Sequence, residues 1–279
     1  SIYSKIIGIN REGMDKDLES ELTELARAQG VPSYLLLLHL MKKSVELKID
    51  DRMLARIVEL LTLFFVRRNI TDTPPTRDLE RLFISICEGI EDSNLKGTEA
   101  AKYIRERLVD ISASDAAFEE RLAGPIYDVN PDMTRFILTV LAEPSVTKEM
   151  KGLWERYPSG NYVWTIEHVF PQGENIPQEW VDMIGGGDRS EAQKIQAELV
   201  HTLGNLTISG YNSKLSNMSF VEKRDRKDSN GFNVGYRNGL NLNEDLVSVD
   251  KWTRDQIKSR TDKLISQALE AFTFDNVEF

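Results

Sequence analysis

Cysteine is nearly absent: Cys87 stands alone among 279 residues. A disulfide within the chain is therefore excluded, and so is any zinc site built on paired cysteines. Histidine is almost as scarce, with only His39, His168 and His201, which leaves few ways to build a soft-metal site. Long apolar runs are missing too. The longest, Leu35 to Met41 and Ile57 to Val66, carry His39 or Glu59 and fall short of the ~20 residues that span a bilayer. No membrane partner is expected, and the lone cysteine fits a reducing compartment. No secretory pattern opens the chain, and its start at Ser1 reads as a piece of a longer parent protein.

Positive charge is also in deficit. Thirty-five Lys and Arg face 45 Asp and Glu, a net charge of −10, which argues against a general binder of nucleic acid. The basic residues nevertheless gather in one stretch: Lys214, Lys223, Arg224, Arg226, Lys227 and Arg237, interleaved with Glu222, Asp225 and Asp228. Taken alone this is a solvated helix face with ion pairs one turn apart. What is present in quantity is ordinary for a folded protein, with 41% hydrophobic and 29% charged residues.

Helical spacing dominates the first half. Leu18, Leu22, Leu25 and Ala26 recur on one face, with Gly30 as the stop. Pro32-Ser33 opens a second helix through Leu35 to Leu47, and Asp50 or Asp51 caps a third from Met53 to about Arg68. That third segment is apolar nearly all round and reads as the central buried helix. After the breaker Thr73-Pro74-Pro75, helices resume around Leu79 to Ile86, Tyr103 to Leu108 and Asp132 to Leu141. At Tyr157-Pro158-Ser159-Gly160 the character changes. Tyr162 to Ile166 is aromatic and β-branched, a short strand, and Leu206-Thr207-Ile208 is a second. Between them lie a Gly185-Gly186-Gly187 loop and a helix over Ser190 to Val200. Ser219 and Glu222 have capping-box spacing for a helix toward Lys227, and a last helix runs from Trp252 to Phe272. The expected fold is mainly α with a small α+β part, divided into a helical domain at 1–155 and a second domain at 156–279 that ends in a C-terminal helix.

The residues with chemistry cluster in the second part. Hydrolysis of a phosphodiester needs a base for water and a cation on the departing oxygen. A histidine can be neutral and basic at cellular pH, and a hard ion such as Mg²⁺ wants oxygen ligands, few of them from protein. Glu167 and His168 are neighbours at a strand end, so their side chains point to opposite sides. Asn205 and Asn212 follow, each able to offer a neutral oxygen or grip the backbone. Gly204-Asn205 is equally a common turn pair. His39, inside a leucine-rich helix, reads as a packed structural residue, and His201 as a supporting or structural group. Arg67 and Arg68 suit the end of a helix.

The blocks Glu167-His168-Val169-Phe170-Pro171-Gln172, Trp180, Leu203-Gly204-Asn205-Leu206-Thr207-Ile208, Asn212, Leu215-Ser216-Asn217, Phe220 and Lys223 together resemble the C-terminal HNH (His-Me finger) nuclease domain of GmrSD-type modification-dependent restriction enzymes. Phosphorothioate-sensing SspE-like proteins are similar. Tyr34 to Leu40 and Phe65 to Asn69 resemble, more weakly, the helical region before that nuclease. The resemblance implies a ββα-metal fold and a Mg²⁺- or Mn²⁺-dependent endonuclease that nicks or cuts double-stranded DNA. His168 would be the general base, Glu167 a metal ligand, Asn205 the asparagine that fixes the loop orienting His168, and Asn212 a metal ligand at the start of the helical part. Asn217 is a rival for the metal. Lys214, Asn217, Lys223 and Arg226 would contact DNA.

Many HNH domains brace themselves with cysteine-held zinc. This chain has no such option and would rely on packing around Trp180 and the last helix. The resemblance further implies a bacterial cytoplasmic, anti-phage restriction system with an upstream NTP-hydrolysing sensor domain. No Gly-rich phosphate loop occurs in these 279 residues. The helical half is available to dock that sensor or a second copy of the chain as a homo-oligomer. The competing reading is a catalytically inactive DNA-binding or regulatory interaction module.

Overall fold

The structure, a computed structural model, describes residues 1–143, 152–215 and 217–279. Packing divides the chain into two compact units, Ser1–Phe118 with Phe272–Phe279, and Glu119–Ala271.

The first unit is helical. Its centre is the helix Asp51–Thr71, started by the Asp50 carboxylate, which accepts from the Met53 amide, and ended by Asp72 in the left-handed conformation. Helix Lys16–Arg27, capped by Asp15, lays Leu18, Leu22 and Leu25 against it. Phe64, Phe65 and Phe83 form an aromatic cluster with centroids 5.2–6.3 Å apart. The single helix expected over Leu35 to Leu47 is two, Tyr34–Lys42 and Ser44–Leu47, because Lys43 leaves helical geometry at φ −105° and ψ 17°. The chain's end returns to this unit, where Arg105 reaches Asp275 at 2.8 Å and the Arg67 guanidinium lies 5.3 Å from the Phe274 ring.

The second unit carries the sheet. Strands β1 (Thr165–His168) and β2 (Leu206–Ser209) pair antiparallel, with Glu167 opposite Thr207 and His168 opposite Leu206. The strand expected from Tyr162 therefore begins three residues later. Tyr162 instead makes an isolated bridge with Arg156 across the turn at Gly160, and the guanidiniums of Arg135 and Arg156 lie 3.6 and 3.7 Å from its ring centroid. The compact boundary also falls earlier than the change of composition near Tyr157, so the helix Pro131–Ala142 belongs with the sheet.

A core of Phe170, Trp180, Phe220, Tyr236, Trp252 and Ile257 fills this unit. Trp180 sits 5.4 Å from Phe170, and Trp252 stacks on Phe220 at 5.7 Å. The last helix, Arg254–Ala271, presses on the Leu203–Asn205 turn so closely that a Cβ on Gly204 would collide with the Ile257 carbonyl and the Thr261 hydroxyl. Buried Arg260 on that helix donates to the carbonyls of Gly204, Leu206 and Leu242 at 2.6–2.9 Å. The described residues are thus mostly helical with one small two-stranded sheet. Among the described residues no helix is long and apolar enough to cross a membrane.

Candidate active site

Strand β1 delivers Glu167 and His168 side by side, and the chain just beyond is gripped by Asn205. Its amide accepts from the Phe170 N–H at 2.9 Å and donates to the carbonyls of Phe170 and Val200, each at 3.0 Å. Its own carbonyl accepts from the Val169 N–H at 2.9 Å. Its side-chain oxygen also accepts from the Trp252 indole at 3.3 Å, and because Asn205 is fully buried these hydrogen bonds replace the water it lost. They fix the backbone that follows His168.

Glu167 points into the protein. Its Oε1 lies 2.6 Å from the Lys223 ammonium and 3.4 Å from the Tyr236 hydroxyl. Lys223 also donates to the carbonyls of His168 at 2.9 Å and Val169 at 3.1 Å. Burial raises the Glu167 carboxyl above its usual range and lowers the Lys223 ammonium, while each partner's charge opposes the other's shift.

Lys223 was expected at DNA phosphates, and here the structure differs: its side chain is 0% exposed. The reason is local. Ser219 and Glu222 form the capping box of helix Phe220–Asp225, and that start turns Phe220, Lys223 and Arg224 inward. Arg224 bonds the Val249 carbonyl and Asp250, and Arg237 pairs with Asp225. Much of the basic stretch is therefore internal wiring. Arg226 is half-buried beside the Met218 sulfur, 3.2 Å away, and Lys227 is exposed. The Lys214 side chain lies outside the described residues.

His168 is 7% exposed and borders a cleft of about 710 Å³ with Asp132, Gln172, Asn212 and Asn217. Its Nε2 lies 3.1 Å from Nδ1 of His201, and the Tyr127 ring meets it edge-on at 4.8 Å. Burial first, then the charges of His201 and Lys223, push its pKa down to about 3. The imidazole is therefore neutral near pH 7, the form that can take a proton from water. Asn212 donates its amide to the Ile166 carbonyl and, at 3.2 Å, to the Thr165 hydroxyl, which ties the short helix Asn212–Leu215 to β1. Asn217 is exposed on the cleft wall. The site thus gathers Glu167, His168, Asn212 and Asn217, with Asn205 behind them.

The amide oxygens of Asn212 and Asn217 on the cleft suit a hard divalent ion in kind, while the Glu167 carboxylate is buried and held by Lys223. Lys223 already holds one oxygen of Glu167, so an ion would have to use the other. Among the described residues no group of three or more His, Cys, Asp or Glu could hold a metal. Amide oxygens, water and phosphate would complete any coordination sphere.

Three neighbours had no signal in the sequence. Tyr127 and Asp128, on the short helix Ile126–Val129, reach His201 from more than 70 positions away, and no motif marks them. Tyr236 sits in a Gly- and Asn-rich segment that reads as a loop.

A neutral, buried histidine at a strand end, opening on a polar cleft, is a setting for hydrolysis, and the comparison with known families gives that setting its class. Residues 112–267 match the family described as GmrSD restriction endonucleases, C-terminal domain. The match spans more than half of the chain and nearly coincides with the second compact unit. The chain belongs to this family, whose function is that of a restriction endonuclease and whose substrate is DNA. No curated protein matches it.

Proposed function

We propose that the second unit is an HNH-type, metal-dependent endonuclease that nicks or cuts double-stranded DNA as the effector of a modification-sensing restriction system. One observation carries the reading: His168, at the end of β1, borders a polar cleft that it shares with the amides of Asn212 and Asn217, and Asn205 fixes the backbone just beyond it. His168 takes the proton of the attacking water. Asn205 keeps the backbone beyond it in place, and Asn212 ties the short helix after β2 to the base-bearing strand. Glu167 and Asn212 would hold Mg²⁺ or Mn²⁺, with Asn217 as the rival ligand, and the ion would stabilise charge on the departing oxygen. Of the basic residues first assigned to DNA whose side chains are described, Lys223 is buried and Arg226 is the one that reaches the surface. An upstream NTPase sensor domain would supply recognition of the modification and restrain the cut.

The Lys223–Glu167 pair favours a second reading, a DNA-binding or regulatory module without cleavage, since an ammonium occupies an oxygen that a metal would share. Plasmid relaxation with Mg²⁺, Mn²⁺ and EDTA arms separates the two. The nuclease reading expects nicked or linear product with either ion and none with EDTA. Asn212→Ala should raise the ion concentration required more than Asn217→Ala does. Retarded but intact plasmid in every arm supports the inactive module instead.

A further inference from the structure

Two of the chain's three histidines touch each other, and a carboxylate stands behind the second. Nδ1 of His201 is 3.1 Å from Nε2 of His168, and Nε2 of His201 is 3.6 Å from Oδ1 of Asp128. The Tyr127 ring lies nearly parallel on His201, centroids 5.3 Å apart at 13°, and edge-on to His168 at 4.8 Å. The Tyr127 N–H also donates to the His201 carbonyl at 3.3 Å, fixing helix Ile126–Val129 to this pair.

A neutral imidazole has one N–H and one lone pair, and the bond made by one nitrogen decides the state of the other. The Asp128 carboxylate draws the His201 proton to Nε2, as a carboxylate behind a histidine does in metal sites. Nδ1 of His201 is then an acceptor, so His168 must donate from Nε2. The lone pair of His168 is left on Nδ1. In the opposite arrangement His201 would donate to Nε2 of His168, which would consume the lone pair there and leave the proton on Nδ1. Neither nitrogen could then accept a proton from water.

We infer that His201, backed by Asp128 and clamped by Tyr127, is a positioning residue that holds His168 as its Nε2–H tautomer and makes Nδ1 the basic nitrogen. This rests on the reading of His168 as general base, but its first test does not need activity. Nitrogen-15 NMR of the imidazoles in the full chain, without metal or DNA, reads the tautomer of His168 directly, and only three histidines require assignment. The wild type is expected to show Nε2–H. His201→Phe keeps a ring against Tyr127 but has no acceptor, and His201→Asn restores an oxygen near the Nδ1 position. Mixed tautomers are expected for His201→Phe and recovery of Nε2–H for His201→Asn. In plasmid nicking, His201→Phe should lose about 10–100-fold in kcat, as losses of orienting partners do, with DNA affinity unchanged. His201→Asn should recover much of that loss, and Asp128→Asn should lie between.

A wild type showing Nδ1–H, or an Nε2–H tautomer that persists in His201→Phe, overturns the inference. A wild type that does not nick contradicts the nuclease reading instead, while the NMR result still decides the tautomer.

Discussion

The buried threonines of the first compact unit's central helix bond one turn back in that helix, whereas the buried groups around the second unit's cleft bond across long stretches of sequence, as Arg67 also does in the first. In the first, the Thr62 hydroxyl donates to the Val58 carbonyl at 3.1 Å and the Thr71 hydroxyl to the Arg67 carbonyl at 2.8 Å, each one turn back. In the second, Lys223 reaches Glu167, Arg260 reaches Gly204 and Leu206, and Asn205 reaches Phe170. A polar group bonded within its own helix is served wherever that helix packs. One bonded across dozens of residues is served only when the whole unit has assembled, so its loss leaves a distant partner buried and unpaired. The comparison teaches that charge near the cleft is structural wiring first, and that sensitivity to substitution should differ sharply between groups bonded within their own helix and groups bonded across the sequence.

The strongest break of that comparison is Lys223→Ala. It leaves the Glu167 carboxylate and two carbonyls without their donor, and removing one partner of a buried ion pair costs about 3–5 kcal/mol. The double variant Glu167→Gln with Lys223→Met should recover part of the loss. Chemical denaturation measures both, and a near-neutral Lys223→Ala would mean that the side chain lives in solvent.

A smaller effect is expected in the first unit from Glu21. Burial and the charges of Glu59 and Glu24 raise its pKa from 4.5 to about 7. The folded chain therefore holds that proton more tightly than the unfolded chain does. The stabilisation is full below about 4.5 and is lost as pH rises through about 7. Glu21→Gln should flatten the fall in melting temperature across that window, an effect of roughly 1–2 kcal/mol at the alkaline end after discount for partial exposure. Parallel curves for variant and wild type would contradict the raised pKa.

Thr62→Val should be smallest, about 1 kcal/mol or less, because the hydroxyl bonds the Val58 carbonyl of its own helix. A loss as large as that of Lys223→Ala would erase the contrast between local and distant satisfaction.

Legibility in the sequence follows the same division. An unbroken apolar run with Asp50 or Asp51 as its cap revealed the first unit's central helix, because both signals are local. Both strands of the second unit, the first with its start three residues late, and the Ser219 capping box were also readable, since β-branched composition and caps are local signals. Lys223 was misread because a lysine in a basic run looks solvent-facing until its helix is packed and Glu167 is found beneath it. The His201–Asp128 contact was invisible for a related reason: no spacing rule joins a short helix to a turn more than 70 positions away. Asn205 showed its place through the motif, but its hydrogen bonds needed the fold.

The central claim is that His168 is the base of a working nuclease site, and single-turnover plasmid nicking by His168→Ala tests it most directly. The assay belongs well below the melting temperature, with circular dichroism and DNA affinity measured alongside, because the ring is buried and its removal also costs packing. The account predicts a folded, DNA-binding variant whose nicking is slower by about 10²–10⁴, the usual cost of losing a general base. Wild-type nicking by a well-folded His168→Ala protein would contradict it.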